Sequence, residues 1–385
     1  MAIACVAASG LPAAASDPLP MSDPADVGFD ATQLAEIDSL VEAGLDEKKL
    51  PGCVICFGRQ GNIVWKQAYG SRQVEPTVEV MTVDTIFDLA SLTKPIATAT
   101  AIMMLVEQGK LKLDDPVAKH LPGFGVNGKE AITIQDLLTH QSGLIADNPI
   151  GDYRSGIETA FQRIDELKPL QPLRTKFIYS DVNFITLGRC VEQVSGQSLQ
   201  EFTRQHMFAP LQMTETGYLP TAELRPRIAP TQERDGHWMR GEVHDPRAHL
   251  LGGVAGHAGL FSTVDDLAVY AQMLLDDGTF RGATVLKPET VKLMTAAYRV
   301  PGGGIRGLGW DKRTGFSINR GDAFTDAAFG HGGFTGTVIW IDPELDLFFI
   351  FLSNRVHPTG KGLVNPLAGK IATVISQSLR PAPQP

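Results

Sequence analysis

Apolar positions along the chain alternate between two periods. From Phe29 to Leu50 they recur at helical spacing, with Leu34, Ile37, Leu40, Val41 and Leu45 on one side. Two strand-like runs follow, Val54–Arg59 and Ile63–Tyr69, and Gln60-Gly61-Asn62 between them reads as a hairpin turn. Asp88–Gly109 is a long helical pattern closed by a glycine. Ile132–Leu138 opens another helix, with Thr133 as cap and Asp136 three residues on. The segment from about 115 to 225 is helix and loop, with Ser180–Val194 its clearest helix. Asp265–Leu275 is amphipathic. Near the C-terminus come two strands, Thr337–Ile341 and Leu345–Leu352, turned by Asp342-Pro343-Glu344. Pro366–Leu379 predicts a closing helix with Asn365 as N-cap. Strands thus lie at both ends and helices in the middle. The economical packing is α+β: one antiparallel sheet covered by terminal helices, a mostly helical second lobe, and a ligand cleft between them. In numbers, the sheet lobe is expected over 24–115 and 225–380, and the helical lobe over 116–224.

Composition narrows the function classes. The 385 residues carry a net charge of −9 and no basic run, which removes nucleic acid as a partner. No stretch of about 18 consecutive apolar residues is present, so no membrane-spanning helix is expected. Residues 1–23 read either as a signal-like segment, small and apolar with Ala13-Ala14-Ala15 as a cleavage-type site, or as a flexible tail. The first reading makes the protein periplasmic or secreted, the second cytoplasmic. Residues 381–385 read as a disordered, proline-rich tail. Of the four cysteines, Cys53 and Cys56 form C-x-x-C, but within a strand, where residues three apart face opposite ways. With no second pair to complete a zinc site, they read as core thiols.

The candidate chemistry begins at Ser91-x-x-Lys94, within Phe87-Asp-Leu-Ala-Ser-Leu-Thr-Lys-Pro95. On a helix the two residues share a face. A serine hydroxyl needs a neighbouring base to become a nucleophile, and a helix start favours developing negative charge. The pattern alone arises by chance about once or twice in a chain this long. Tyr179-Ser-Asp181 at a helix start, Gly330-His-Gly-Gly-Phe334 before the C-terminal hairpin, and the absence of G-x-S-x-G make it specific.

Together these segments resemble the serine β-lactamase and penicillin-binding protein superfamily, in its class C β-lactamase branch. That branch includes the family VIII carboxylesterases and D-alanyl-D-alanine carboxypeptidases. The resemblance runs from about residue 25 to 380 and is carried by Ala90-Ser-Leu-Thr-Lys94, Leu137-Leu-Thr-His-Gln-Ser-Gly-Leu144, Tyr179-Ser-Asp-Val-Asn-Phe184, Pro210-Leu-Gln-Met-Thr214, Gly259-Leu-Phe-Ser-Thr263 and Gly330-His-Gly-Gly-Phe-Thr-Gly336. It implies a β-lactamase-like fold, Ser91 as the acylated nucleophile, Lys94 as its partner and Tyr179 as general base. It also implies an oxyanion hole from the backbone N–H groups of Ser91 and Phe334. His331-Gly332-Gly333 falls where the lactamases carry K-T-G.

Two positions depart from the family pattern. Asp181 replaces an asparagine, turning a donor into an acceptor, with Asn183 nearby as a substitute amide. His331 replaces a lysine and is largely neutral at pH 7. Both changes are expected to weaken the grip on an anionic substrate and to favour short neutral esters over penicillins. His237, His244, His249 and His257 lie in a glycine-rich stretch without metal-ligand spacing, so no metal is expected and the stretch is expected to line the cleft. His140 is expected to bond backbone at a helix-to-loop corner. Trp238, Phe87, Trp310 and Phe334 are candidates to shape an acyl pocket, and Trp238 and His257 join Asp181, Asn183, His331, Gly332 and Gly333 as expected substrate contacts. The expected activity is that of a cofactor-independent carboxylesterase, with D-alanyl-D-alanine carboxypeptidase or β-lactamase as the alternative, on a small ester or amide, in a monomer or homodimer. A non-catalytic module binding cell-wall ligands is the contrasting class. It needs none of Ser91, Lys94 and Tyr179, and the presence of all three favours an enzyme.

Overall fold

The computed structural model describes residues 19–380. The two terminal segments singled out in the sequence, 1–23 and 381–385, fall outside these residues except for 19–23. Nine antiparallel strands build the main sheet. In chain order they are β1 (Gly52–Arg59), β2 (Asn62–Gln73), β3 (Glu79–Val80), β4 (Tyr298–Val300), β5 (Gly304–Arg306), β6 (Asp311–Arg313), β7 (Phe329–Gly333), β8 (Thr337–Asp342) and β9 (Leu347–Ser353). In space the order is β4-β5-β6-β7-β8-β9-β1-β2-β3. The expected hairpin at Gln60–Gly61 forms, and β1 pairs on its other side with β9, Ile55 opposite Phe351. The protein therefore has a β-lactamase-like α+β fold.

The sheet is buried on both faces, and its side-chain alternation sorts two cores. Cys53, Ile55, Phe57, Val338, Trp340, Phe349 and Phe351 pack with Val27, Phe29, Ile37, Val41, Leu367 and Ile371. Here lie the terminal helices α1 (Glu36–Asp46) and, at the other end of the chain, Asn365–Gln377. The alternate residues Val54, Cys56, Ile339, Ile341, Phe348 and Ile350 join the larger core formed with the middle of the chain. That core holds α2 (Thr100–Glu107), α3 (Asp181–Ser195) and α4 (Val264–Leu275); the C-terminal Asn365–Gln377 is α5. Cys53 and Cys56 thus sit on opposite faces of the sheet, both buried and unpaired.

Several boundaries differ from the sequence reading. The first helix breaks at Ala35 into Ala31–Leu34 and α1. Phe87–Asp88 is not helical: it pairs with Phe261 and Ser262 in a small three-stranded sheet. The helix begins instead as a 3₁₀ turn, Ala90–Leu92, and widens to a π-helix, Lys94–Ala99, before α2. α5 starts at Asn365 rather than being capped by it; Val364 occupies the cap position without a side-chain bond. The Thr133–Asp136 capping box is present as read. Asp136 also takes two bonds from Arg174, at 2.7 and 3.0 Å, which pins the segment leading to Tyr179.

Burial raises the thiols of Cys53, Cys56 and Cys190, the last to about 12, so thiolate is absent at neutral pH. A maleimide reagent should leave all three unlabelled in the native protein and label them only on unfolding, as read by mass spectrometry of peptides.

Candidate active site

The turn that carries Ser91 is held in place through its backbone. Leu89 N–H donates to the Leu260 carbonyl at 2.9 Å, and the carbonyls of Asp88 and Leu89 accept from Thr335 and Thr337 hydroxyls at 2.7 and 2.9 Å. Asp88 is 2% exposed; its carboxylate accepts from Ala90 N–H at 2.8 Å and His244 N–H at 2.7 Å. Burial lifts its carboxyl to about 6. Ala90 takes φ 46°, a left-handed conformation that costs an alanine energy and is tolerated where surrounding bonds fix it. Strand β7 closes against this turn: a Cβ on Gly333 would lie 2.4 Å from the Leu89 carbonyl oxygen, so glycine is required for the approach.

Ser91, Lys94 and Tyr179 meet here. Lys94 is fully buried, and its Nζ donates to Ser91 Oγ at 2.9 Å and to the His257 carbonyl at 3.1 Å. Its counter-ion is Asp181, at 2.6 Å. Burial alone would lower the lysine, but Asp181 and the Tyr179 oxygen outweigh it and hold Lys94 well above the usual range, as an ammonium. Nζ sits 4.9 Å from the Tyr179 ring centroid. Tyr179 and Asp181 flank Ser180, the N-cap of α3, whose hydroxyl accepts from Asn183 N–H at 3.2 Å. His140, also buried, accepts Ser180 N–H on Nδ1 at 3.0 Å, with its ring 4.6 Å from that of Tyr179. It does hold a backbone corner, as read, and the corner it holds carries the tyrosine.

Two cavities open on Ser91 and Tyr179, with Phe334 on both walls. The larger, about 630 Å³, is walled by Asp147, Asp181, His244, Asp245, Arg247 and His257 among others. The smaller, about 210 Å³, is walled by Arg306, Phe316, His331, Gly332, Gly333 and Arg355 among others. Burial, with Arg306 and Lys94 nearby, pushes the His331 imidazole well below its ordinary value, so it is neutral. Its Nδ1 donates to the Gly332 carbonyl at 2.8 Å.

The structure corrects three sequence assignments. Asn183 does not reach the cleft: it is buried, accepts from the Ser142 hydroxyl at 2.7 Å and donates to the Leu137 carbonyl at 3.3 Å. Trp238 packs edge-on to His357, centroids 4.7 Å apart, and it is Met239 that faces the larger cavity. Phe87 and Trp310 are buried in the core. Of the four histidines in the glycine-rich stretch, His244 and His257 line the cleft, while His237 and His249 turn to Glu242. His257 holds Lys94 through its carbonyl; its Nε2 lies 2.9 Å from Asp245.

Sequence reasoning missed Arg306, the largest omission. It is fully buried: Nη1 lies 3.4 Å from the Asp311 carboxylate, Nη2 donates to the Gly309 carbonyl at 3.3 Å, and Nε lacks a hydrogen-bond partner among the described residues. Arg355 lines the same cavity, its guanidinium 4.6 Å from the Phe334 ring. The expected shortage of positive charge near His331 is therefore offset by Arg306 at the end of β5 and by Arg355 in the turn after β9. Asp147 was missed too; burial and the adjacent Asp181 raise its carboxyl. Asp181, Asp245 and His257 each present a possible metal-ligand atom within 4.8 Å of the others. Two of these groups are already spoken for: Asp181 by Lys94, and Asp245 by His257 and the backbone N–H groups of Arg247 and Ala248.

Asp181→Asn should destabilise the protein by about 3 kcal/mol, because Lys94 would be left buried without its counter-ion. Adding Lys94→Met should recover much of that loss. Urea denaturation of the single and double variants checks both. With Lys94 raised by folding, the pair's contribution is complete below the unfolded lysine's range and is lost only as pH climbs through the folded value, so the comparison holds at neutral pH.

Residues 37–373 match the family model described as Beta-lactamase. Among curated proteins, the chain is 32% identical to an N-acetylmuramyl-L-alanine amidase of Bacillus subtilis (strain 168), covering 86% of this chain and 82% of that one. It is also 32% identical to a putative D-alanyl-D-alanine carboxypeptidase of Escherichia coli (strain K12), with 87% and 85% covered. Among solved structures, EstCE1, a hydrolase with promiscuous acyltransferase activity, aligns with a TM-score of 0.72 at 22% identity over 90% of this chain and 99% of that one, a likeness of fold. An octameric penicillin-binding protein homologue from Pyrococcus abyssi aligns with a TM-score of 0.69 at 27% identity, with 88% and 75% covered. No helix among the described residues is long and apolar enough to cross a membrane. The chain belongs to the beta-lactamase family, and is a serine hydrolase of the superfamily that family shares with the penicillin-binding proteins.

Proposed function

We propose that the protein hydrolyses an amide or ester bond in small, carboxylate-bearing, peptide-like substrates of the kind found in bacterial cell walls, through an acyl-enzyme on Ser91. The observation that carries this reading is Arg306, a buried guanidinium on the wall of a cavity that opens on Ser91, held by the Asp311 carboxylate at 3.4 Å and with its Nε free of any hydrogen-bond partner among the described residues. A guanidinium so placed matches a carboxylate in charge and in its donor fork. The amidase and carboxypeptidase names of the relatives at 32% identity support the same class.

In this reading Lys94, kept as an ammonium by Asp181, is not the base. Tyr179 takes the Ser91 proton as Oγ bonds to the substrate carbonyl carbon, with the Lys94 ammonium bonded to Ser91 Oγ and set against the tyrosine ring. The N–H groups of Ser91 and Phe334 receive the carbonyl oxygen as it gains negative charge. Tyr179 then returns the proton to the departing amine or alcohol as the carbonyl reforms. Water repeats the sequence on the acyl-enzyme: its proton goes to Tyr179, the acid product leaves, and Ser91 regains its hydrogen.

A second reading, carboxylesterase on short neutral esters, draws on the neutral His331 and on the anionic Asp181 beside the nucleophile. The two are separated by measuring kcat/KM side by side for p-nitrophenyl butyrate, nitrocefin, a D-Ala-D-Ala peptide and N-acetylmuramyl-L-alanine. Arg306→Gln should raise KM for the carboxylate-bearing substrates by roughly tenfold or more, the scale of one charge-assisted hydrogen bond, and leave the butyrate ester nearly unaffected. Equal effects on all substrates, with the ester turned over far faster than either cell-wall compound, would replace the first reading by the second. Ser91→Ala should abolish turnover of every substrate, and a fluorophosphonate adduct should map to Ser91. Tyr179→Phe should reduce turnover at least about 100-fold, the usual scale for a positioned general base; near-normal rates in that variant would return the role to Lys94.

A further inference from the structure

Phe316 is a large apolar ring left 53% exposed, on a loop with little freedom to hide it. Thr314 Oγ1 and Ser317 Oγ both donate to the Asp311 carboxylate, at 2.9 and 2.7 Å. Ser317 Oγ accepts from Thr314 N–H at 2.8 Å, and Phe316 N–H donates to Thr314 Oγ1 at 3.2 Å. On the other side of the loop Asn319, 2% exposed, accepts from Trp340 Nε1 at 3.0 Å, anchoring the segment to the sheet. The ring held between these anchors lies 5.0 Å from that of Tyr179 and 6.3 Å from that of Phe177, centroid to centroid. It forms one wall of the small cavity that Arg306 and Phe334 also line.

Water gains nothing from a phenyl ring held out of the core, and a tethered loop forgoes the chance to bury it. Asp311, which ties this loop down, is also the residue facing Arg306 at 3.4 Å, so the ring and the guanidinium are set relative to each other by one carboxylate. A ligand with a carboxylate at Arg306 and an apolar body beside it would cover the exposed face of Phe316.

We propose that Phe316 is a specificity-determining platform, on which the ring or aliphatic part of a carboxylate-bearing substrate rests on the arginine side of Ser91. This rests on the reading of Arg306 as a carboxylate site. The preferred substrate is then amphipathic: a carboxylate with a hydrophobic side group, rather than a bare or strongly polar acid.

The test is binding, so it does not depend on which bond the enzyme cleaves. In Ser91→Ala protein, 3-phenylpropionate should bind more tightly than propionate by roughly fivefold to tenfold, the scale of an aromatic pair, as read by calorimetry or ligand-observed NMR. Adding Phe316→Ser should remove that preference, and Phe316→Tyr should keep it. Because the ring is half in solvent, neither change should lower the melting temperature appreciably. Equal affinity for the two acids in the Ser91→Ala protein, or a preference that survives Phe316→Ser, overturns the platform. So does a loss in kcat shared by all substrates when Phe316→Ser is made in active enzyme, which would mean that the ring only buttresses Tyr179. Failure of turnover on the cell-wall compounds, with the phenylpropionate preference intact, would count against the proposed reaction and leave the platform standing.

Discussion

The buried ammonium of Lys94 is the point on which the site depends. An unpaired charge in this environment would be costly to bury, so its three contacts are obligations of the fold. Ser91 lies on its own helical turn, Asp181 begins α3, and the His257 carbonyl comes from the loop before the small sheet. Segments far apart in the chain are thereby drawn to one nitrogen. The same bonds keep the lysine charged and aim its ammonium at the Ser91 hydroxyl.

Around that point the protein is built from the backbone outward. The carbonyls of Asp88 and Leu89 are held by Thr335 and Thr337, and glycine at 333 lets β7 approach the turn that carries the serine. Asp88 ties Ala90, beside Ser91, to His244, in the wall of the larger cavity. One carboxylate thus joins the Ser91 turn to the lining of that cavity. The cleft that results is unequal in charge. The larger cavity carries Asp147, Asp181, Glu233 and Asp245 against Arg247, and the smaller Arg306 and Arg355 against Asp311.

Much of this was legible because its signals are local. Ser91 and Lys94 are one helical turn apart, the Thr133–Asp136 box spans one turn, and strand alternation placed Cys53 and Cys56 on opposite faces. The misreadings arise where chemistry depends on direction or on backbone. Asn183 is two residues beyond Asp181, and on a helix that step turns a side chain by about 200°, away from the cleft. Trp238 and Met239 are neighbours in an extended segment, so only one can face the cavity. His257 matters to Lys94 through a carbonyl, which no residue type announces. Arg306 has no motif around it. It lines the smaller cavity because the sheet places β5 beside the strands that lead to β7, and pairing across a sheet is set by the whole fold.

The sheet order also settles where the chain can be opened or extended. The helical middle leaves the sheet from β3 at one edge and re-enters at β4 on the other, so it spans the full width of the face that carries the cleft. On the opposite face Phe29 bridges Leu379, and Arg380 N–H donates to the Gly28 carbonyl at 2.9 Å, while the residues before Pro24 run on to β2, Met21 bridging Ile63. A circular permutation that joined Arg380 to Gly28 by a short linker, with new ends cut in an exposed loop, would therefore keep the pairing of all nine strands and give up the Met21–Ile63 bridge.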